Sequence, residues 1–330
     1  YIGIGRKKLL ELLTERARQL GVQVIHCSEV SSLERFADAD LIIASDGINS
    51  KIRELYADSF KPDIEVRKNR FIWLGTEQKF PAFTFAFEQT EYGWFQAHAY
   101  QFEDGLSTFI VECTDETLKA HGLHETTSED GISFCEDLFA EHLGGHPLIS
   151  NARHLRGSEW LMFNRVQNES WHHGNVILLG DSAHTAHFSI GSGTRLGVGD
   201  AIDLSSSLHT FQELEDALDH YEEVRRTEVL KIQSAARNST EWFECVKRYA
   251  DLPVEQLFYA LLTRSQRLGH ASLKERDPTW LAKYEDWFSK KAGHTEHVAP
   301  PPMFTRFKLR GMTLQNRVVV SPMSTYSAHD

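Results

Sequence analysis

The chain has 330 residues, 41% apolar and 25% charged, the proportions of an ordinary folded protein with room for two domains or for one large domain with insertions. Its net charge of −12 argues against a general nucleic-acid or membrane-surface binder, which needs clustered cations. Four cysteines (Cys27, Cys113, Cys135, Cys245) stand far apart with no CxxC pair, and neither a signal peptide nor a membrane-spanning apolar run appears, so reduced thiols in a cytoplasmic protein are expected.

In chain order, residues 6–20 carry leucines at helical spacing, Gly21 closes that helix, and VQVIHC at 22–27 reads as a strand. ADLIIASDG (39–47) is a buried-strand run feeding a tight turn, and NSKIRELY (49–56) starts a helix. From Arg70 to Glu112, RFIWLGT, AFTFAFEQ, GWFQAHAYQF and LSTFIVE alternate with period two, which predicts an antiparallel sheet inserted into an α/β unit. SEDGISFCEDLFAEHL is helical, NVILLGD (175–181) is a second buried-strand run, and the chain is then almost wholly helical to about Lys291. HVAPPPM is a Pro-rich linker, beyond which FTRFKLRGMTLQNRVVVSPMSTYSA looks like the start of another domain. The chain opens on Tyr1 in mid-pattern and stops at Asp330, and it reads as a fragment cut at both ends.

Both buried-strand runs end in an aspartate, Asp46 and Asp181, at the carboxyl edge where open α/β sheets bind ligands. A carboxylate there can accept hydrogen bonds from ribose or ribityl hydroxyls. The Gly191-Ser192-Gly193-Thr194 run allows close backbone approach at a helix start, which suits a pyrophosphate or the electron-rich edge of a flavin. Each piece alone is more often a turn or a loop. His184 and His187 have the spacing of a metal pair but lack an evident third ligand, His172-His173 read as surface loop residues, and no GxSxG elbow is present. Arg6-Lys7-Lys8 and Arg67-Lys68-Asn69-Arg70 are local basic runs that could meet an anionic ligand, with a solvated face as the alternative for each.

Taken together, Arg6 at the head of RKKLLELL, the Asp46-Gly47-Ile48-Asn49-Ser50-Lys51-Ile52-Arg53 run, and Gly180-Asp181-Ser182-Ala183-His184 with its Gly-rich tail resemble the single-component FAD-dependent aromatic hydroxylases of p-hydroxybenzoate hydroxylase-like fold. RKKLL, IWLGT, HFSIGSGT and WFECVKRY are similar to the branch that hydroxylates salicylyl-CoA or 2-aminobenzoyl-CoA. The resemblance implies an α/β, Rossmann-like FAD-binding domain, truncated at its N-terminus, with an inserted antiparallel substrate-binding sheet and a helical C-terminal region. The expected boundaries are 1–65 for the first part of the FAD-binding domain, 66–150 for the sheet, 151–292 for its second part with the helices, and 293–302 for the linker. Residues 303–330 resemble the first strand of the old yellow enzyme family, a TIM barrel using FMN, here truncated.

That family contacts FAD through residues matching Arg6, Asp46, Gly47, Ser50, Arg53, Gly180, Asp181, Ala183, Gly191, Ser192, Gly193 and Thr194, and the barrel contacts FMN through Ser321, Pro322 and Met323. His187 and Phe188 take the place of the usual proline and are the candidate catalytic-loop residues. The sheet (Trp94, Gln96, His98, Tyr100) forms the opposite wall, with His98, Tyr100 and, in the barrel, Tyr326 as substrate residues. The resemblance implies that NAD(P)H reduces the flavin, that O2 adds at its C4a position, and that the resulting hydroperoxide hydroxylates an electron-rich ring at position 5. The expected partners are an aromatic substrate, carried as a CoA thioester, and O2, with no metal, nucleic acid or membrane; a homodimer is compatible with this reading. Gly3-Ile4-Gly5 is not the family's GxGxxG loop, so the chain as given is expected to hold FAD poorly. A hydroxylase of a free aromatic acid or indole compound, a halogenase (whose WxWxIP motif Trp160 to Phe163 do not match) and a non-catalytic FAD-binding protein are the alternatives.

Overall fold

The computed structural model describes residues 3–150, 160–298 and 300–321. The chain divides into two compact units, Tyr1–Asp251 and Leu252–Asp330.

The first unit contains strands β1 (Ile42–Ala44), β2 (Pro62–Thr76), β3 (Thr84–Thr90), β4 (Gly93–Glu103), β5 (Leu106–Thr114), β6 (Leu148–Ser150), β7 (Leu161–Asn168), β8 (His172–His173) and β9 (Val176–Leu178). Its principal helices are α1 (Arg6–Gln19), α2 (Lys51–Leu55), α3 (Ser128–Leu138), α4 (Gly193–Thr210) and α5 (Leu214–Glu244). β1 and β9, the two apolar runs of the sequence, pair in parallel with Ala44 level with Leu178. The loops that follow them therefore leave the sheet at the same edge, which is where a ligand meets an α/β sheet.

The larger sheet is six-stranded, in the order β3-β4-β5-β2-β6 with β7 also against β2. Alternation gives it two unlike faces. Phe95, Ala97, Ala99, Phe109 and Val111 point into a core closed by Leu118, Cys135, Phe139 and Trp160. A phenylalanine fully buried there, such as Phe109, contributes about 1.5–3 kcal/mol. The opposite face carries Asn69, Gln96, His98 and Glu112, all buried and all polar. The long helix α5 covers the second core with Leu218, Tyr221, Arg225, Val229, Ile232 and Ala236, a three- and four-residue spacing that keeps one helix face inward.

The structure departs from the sequence reading at several points. Residues 22–27 form no strand, because no neighbour among the described residues pairs with them, and Val22 and Ile25 are exposed. β2 begins at Pro62 rather than Arg70, and β7, placed by chain order with the FAD-binding part, joins the sheet instead through β2 after a bulge between Val66 and Arg70. His172 is no surface loop residue: it lies in β8 with Nδ1 3.0 Å from Glu222.

The second unit holds helices α6 (Val254–Thr263), α7 (His270–Arg276) and α8 (Pro278–Lys291). α8 starts with proline at its first position and the Asp277 side chain accepting from the Trp280 N–H, both preorganised for a helix start. Phe307–Leu309 and Met312–Leu314 form an antiparallel hairpin. Val318 to Val320, expected as a barrel's first strand, are exposed and carry no ladder bonds, since a parallel barrel strand needs a neighbour on each side and the described residues supply none. Pro322, Met323 and Tyr326 lie outside the described residues, and Ser321 is exposed. No described helix is long and apolar enough to cross a membrane.

Candidate functional site

The two strand-end loops are built as one object. The Asp46 carboxylate accepts from the Ser50 hydroxyl at 2.5 Å and from the Lys51 and Ile52 N–H groups at 2.8 and 3.2 Å, which caps α2. Asp46 and Ser50 thus shape the loop itself, and Asp46 Oδ1, which accepts from Ser50 alone, keeps acceptor capacity for a further donor. Arg53, buried at the end of that turn, donates to the Ser182 carbonyl at 2.9 Å and the Ile48 carbonyl at 2.6 Å. The Ser182 hydroxyl in turn donates to the Ala44 carbonyl at 2.6 Å. The 46–53 turn and the 180–183 turn therefore hold each other's backbone in register.

The rest of the 180–187 loop is pinned from other elements. Asn168 Nδ2 donates to the Ala183 carbonyl at 2.5 Å, and Gln233 Nε2 to the Thr185 and Val166 carbonyls at 2.9 Å each. Behind the loop, wholly buried Asp200 accepts from the Gly180 N–H at 3.0 Å, from Arg225 Nε at 2.9 Å, and faces His184 Nε2 at 2.8 Å. Burial would raise the Asp200 pKa, but these bonds and the Arg225 charge outweigh it and hold the carboxyl below its ordinary range. His184 is thereby a structural partner of Asp200, and His187 bonds elsewhere. Asp200, Arg225, Asn168 and Gln233 carry no motif signal in the sequence; their role comes from contacts across long stretches of chain.

The backbone beyond the loop suits a flavin. Gly191 sits in the left-handed region at φ +60°, and α4 starts at Gly193 with no side-chain cap and no acid in its first turn. A side chain at Gly191 or Gly193 would meet nothing within 4 Å, and although the Gly191 N–H donates to the Phe188 carbonyl at 2.9 Å, the helix's uncapped positive end favours an electron-rich ring edge. Asp181 faces solvent beside them, within electrostatic reach of Arg6. Its crowded surroundings raise its pKa through desolvation, with His184 and Arg6 pulling it back. The cofactor residues expected from the sequence thus gather here, with Ser321 in the other unit.

Phe188 marks the other side of the site. Its ring lies 4.9 Å from Phe71, 5.8 Å from Trp73 and 5.7 Å from His98. Tyr100, two residues along β4 from His98, stacks on Phe83 at 5.1 Å. Under this aromatic wall, His98 Nε2 is 3.1 Å from Glu112, which also accepts from Asn69 Nδ2 at 2.8 Å. His98 Nδ1, Asn69 Oδ1 and Gln96 Oε1 have no partner among the described residues, although all are buried. Burial would raise the Glu112 pKa, but the His98 bond, the Asn69 bond and the nearby histidines lower it overall. His187 accepts from the Ser189 N–H at 3.2 Å, packs on Phe163 at 4.9 Å, and burial pushes its pKa down to about 4. The structure therefore brings His187, Phe188, His98 and Tyr100 into one neighbourhood. Arg67 and Arg70 are not the free basic patch suggested by their sequence, since Arg67 bonds Glu65 and Glu244 and Arg70 bonds Asp115.

Comparison with known proteins agrees with this layout. The FAD binding domain family matches residues 3–236. Salicyloyl-CoA 5-hydroxylase from a Streptomyces species is 39% identical over 96% of this chain and 61% of its own length, so the chain spans about three-fifths of that relative. The 5-monooxygenase of 3-hydroxy-4-methyl-anthranilyl-(aryl-carrier protein) from Streptosporangium sibiricum is 35% identical over 82% of this chain and 70% of its own. Among solved structures, 2-methyl-3-hydroxypyridine-5-carboxylic acid oxygenase superposes with a TM-score of 0.54 at 19% identity, over 82% of this chain and 70% of that one, which supports the fold. With a matching family over most of its length and relatives named as monooxygenases, the chain belongs to the FAD-binding-domain family of flavin-dependent monooxygenases.

Proposed function

We propose that this chain is the hydroxylating part of a protein that adds one oxygen atom from O2 to ring position 5 of an aromatic acyl-CoA, 2-aminobenzoyl-CoA or salicyloyl-CoA, at the expense of NAD(P)H. The observation that carries the reading is the pairing of the open glycine cradle at 191–194 with the aromatic wall around Phe188, joined by one short loop. The named relatives act on aromatic acyl groups held by a carrier, which favours a thioester over a free acid. The segment from Phe304 to Ser321 belongs, on this reading, to an FMN-dependent reductase in the intact protein.

Gly180, Asp181, Ala183 and Gly191 to Thr194 would hold the FAD, with the positive end of α4 against its electron-rich edge. The bound flavin supplies the reducing equivalents and the activation of O2. The chain supplies position and dryness. Phe71, Trp73 and Phe188 flank the ring and exclude water from the reacting face. His98, with its Nε2 side held by Glu112, meets the ring's amino or hydroxyl group through Nδ1, fixing which carbon faces the flavin. An amino or hydroxyl group enriches the carbon para to it, which is position 5. His187 lies beside Phe188 and stays neutral at working pH.

The test is the purified intact protein, assayed for NADH consumption and for a product heavier by one oxygen atom. Consumption that starts only on adding salicyloyl-CoA or 2-aminobenzoyl-CoA supports the reading. NADH oxidation at background with every aromatic thioester tried, from a protein that carries FAD, overturns it.

A further inference from the structure

A cleft of about 250 Å³ lies between β2, β7 and α5, with Thr185 to His187 at its floor. His187 lines it and Phe188 does not, yet the two rings are only 4.0 Å apart. The cleft is thus the aromatic wall's immediate neighbour, one residue away along the loop. Its volume is slightly below that of typical small-ligand pockets, about 300–1,000 Å³.

Its charge pattern limits what it can hold. Arg67 and Arg165 look like a phosphate site, but Arg67 bonds Glu65 at 2.6 Å and Glu244 at 2.7 Å, and Arg165 bonds Asp63 at 2.8 Å. Each guanidinium already faces a carboxylate, so an entering phosphate would meet those carboxylates as well as the cations. Arg237, exposed on α5, lies 3.9 Å from Glu241. The remaining lining alternates amides and hydroxyls (Gln167, Gln233, Ser234) with apolar surface (Phe163, Leu230, Ala236). That mixture suits a slender, uncharged chain bearing amide groups.

We propose that this cleft receives the pantetheine arm of the acyl-CoA, leaving the aromatic ring on the Phe188 side and the nucleotide phosphates outside. The assignment rests on the thioester reading above. The pantetheine arm is uncharged, carries amides and methyl groups, and ends at the sulfur that bears the acyl group, so its chemistry matches the lining and its end lies beside the ring. The cleft then gives the enzyme a way to prefer a carried acyl group over a free aromatic acid: burying the arm adds binding energy that the free acid lacks.

Ser234, on the exposed side of α5 and lining the cleft, is the place to block it. In the intact protein, Ser234→Trp is expected to lower kcat/KM for the aryl-CoA about tenfold relative to the aryl thioester of N-acetylcysteamine, which lacks most of the arm. Pantetheine itself should inhibit the unaltered protein competitively against aryl-CoA, whereas adenosine 3′,5′-bisphosphate should not; this arm needs no variant. If the unaltered protein turns over aryl-CoA but ignores pantetheine, or if Ser234→Trp folds and leaves the aryl-CoA preference intact, the cleft assignment falls while the function stands. If no aromatic thioester supports NADH consumption, both fall.

Discussion

Two buried histidine–carboxylate pairs sit on opposite sides of the site, and they are built differently. His184 and Asp200 stand behind the cofactor loop, where Asp200 is also bonded by Arg225 and by the Gly180 N–H. His98 and Glu112 stand beneath the aromatic wall, where Glu112 also accepts from the neutral amide of Asn69. The first carboxylate is matched by a permanent cation and fixes backbone. The second is bonded by the His98 imidazole and lies among amide oxygens, those of Asn69 and Gln96, that have no partner among the described residues. The first network leaves His184 Nδ1 without a partner among the described residues but is tied by Arg225 and a backbone N–H, which hold its shape; the second leaves three such atoms and has no permanent cation bonded to its carboxylate, which leaves hydrogen-bonding capacity for a ligand.

The contrast breaks if the two carboxylates respond alike to removal of charge. Asp200→Asn removes one of the two carboxylates that Arg225 meets, leaving Asp203 at 3.2 Å, and should cost about 2–3 kcal/mol. Denaturant unfolding should show that loss, accompanied by weaker flavin retention because Gly180 loses its anchor. Glu112→Gln removes no cation's only partner and should cost about 1–2 kcal/mol. Its main effect should be on kcat and on the pH profile of turnover, with flavin content unchanged. Equal destabilisation by the two variants, or flavin loss from Glu112→Gln, would sink the distinction.

Acid sharpens it further. His187 has a folded-state pKa of about 4, below the ordinary value of 6.5, so the unfolded chain binds its proton more readily. Its contribution is therefore complete above pH 6.5 and is lost as pH falls from 6.5 toward 4, a total of about 3 kcal/mol. Stability measured across that window should slope downward with acid, and His187→Gln should flatten the slope. An unchanged slope in the variant would show that another group is responsible.

How much of this was legible in the sequence depends on the range of the interactions. Helical spacing and capping residues gave α1, α3 and α5, and period-two alternation gave the core of the sheet, because those patterns are local. VQVIHC also has strand composition, yet strand formation needs a partner and composition cannot supply one. The motifs pointed to the glycine run at 191–194 and to Asp181, which the fold places after the parallel strands of the smaller sheet. They did not show that the Asp46 carboxylate also caps its own helix, and said nothing of Asp200, which bonds Gly180 across 20 residues, or of Arg225, which bonds Asp200 across 25. The paired cations tell the same story: Arg67 looks free in a basic run, but its partner Glu244 is 177 residues away.

The smallest expected effect concerns the cofactor loop alone. Gly180 has φ +67°, a conformation that costs an alanine about 1 kcal/mol. Space is not the obstacle, since a Cβ there would meet only Gly197 Cα at 3.9 Å, ordinary contact. Gly180→Ala should therefore lower the melting temperature by a few degrees at most, and Gly180→Asn, which tolerates the left-handed region better, by less. Gly93 supplies the control from the sheet: a Cβ there would sit 2.3 Å from Thr117 Oγ1, so Gly93→Ala should destabilise more and yet leave flavin affinity alone. If Gly180→Ala weakens flavin binding beyond what its stability loss explains, while Gly93→Ala does not, the close approach at Gly180 is made by the cofactor and not by the fold. If flavin affinity follows stability in both variants, Gly180 is a turn residue whose role ends with the fold.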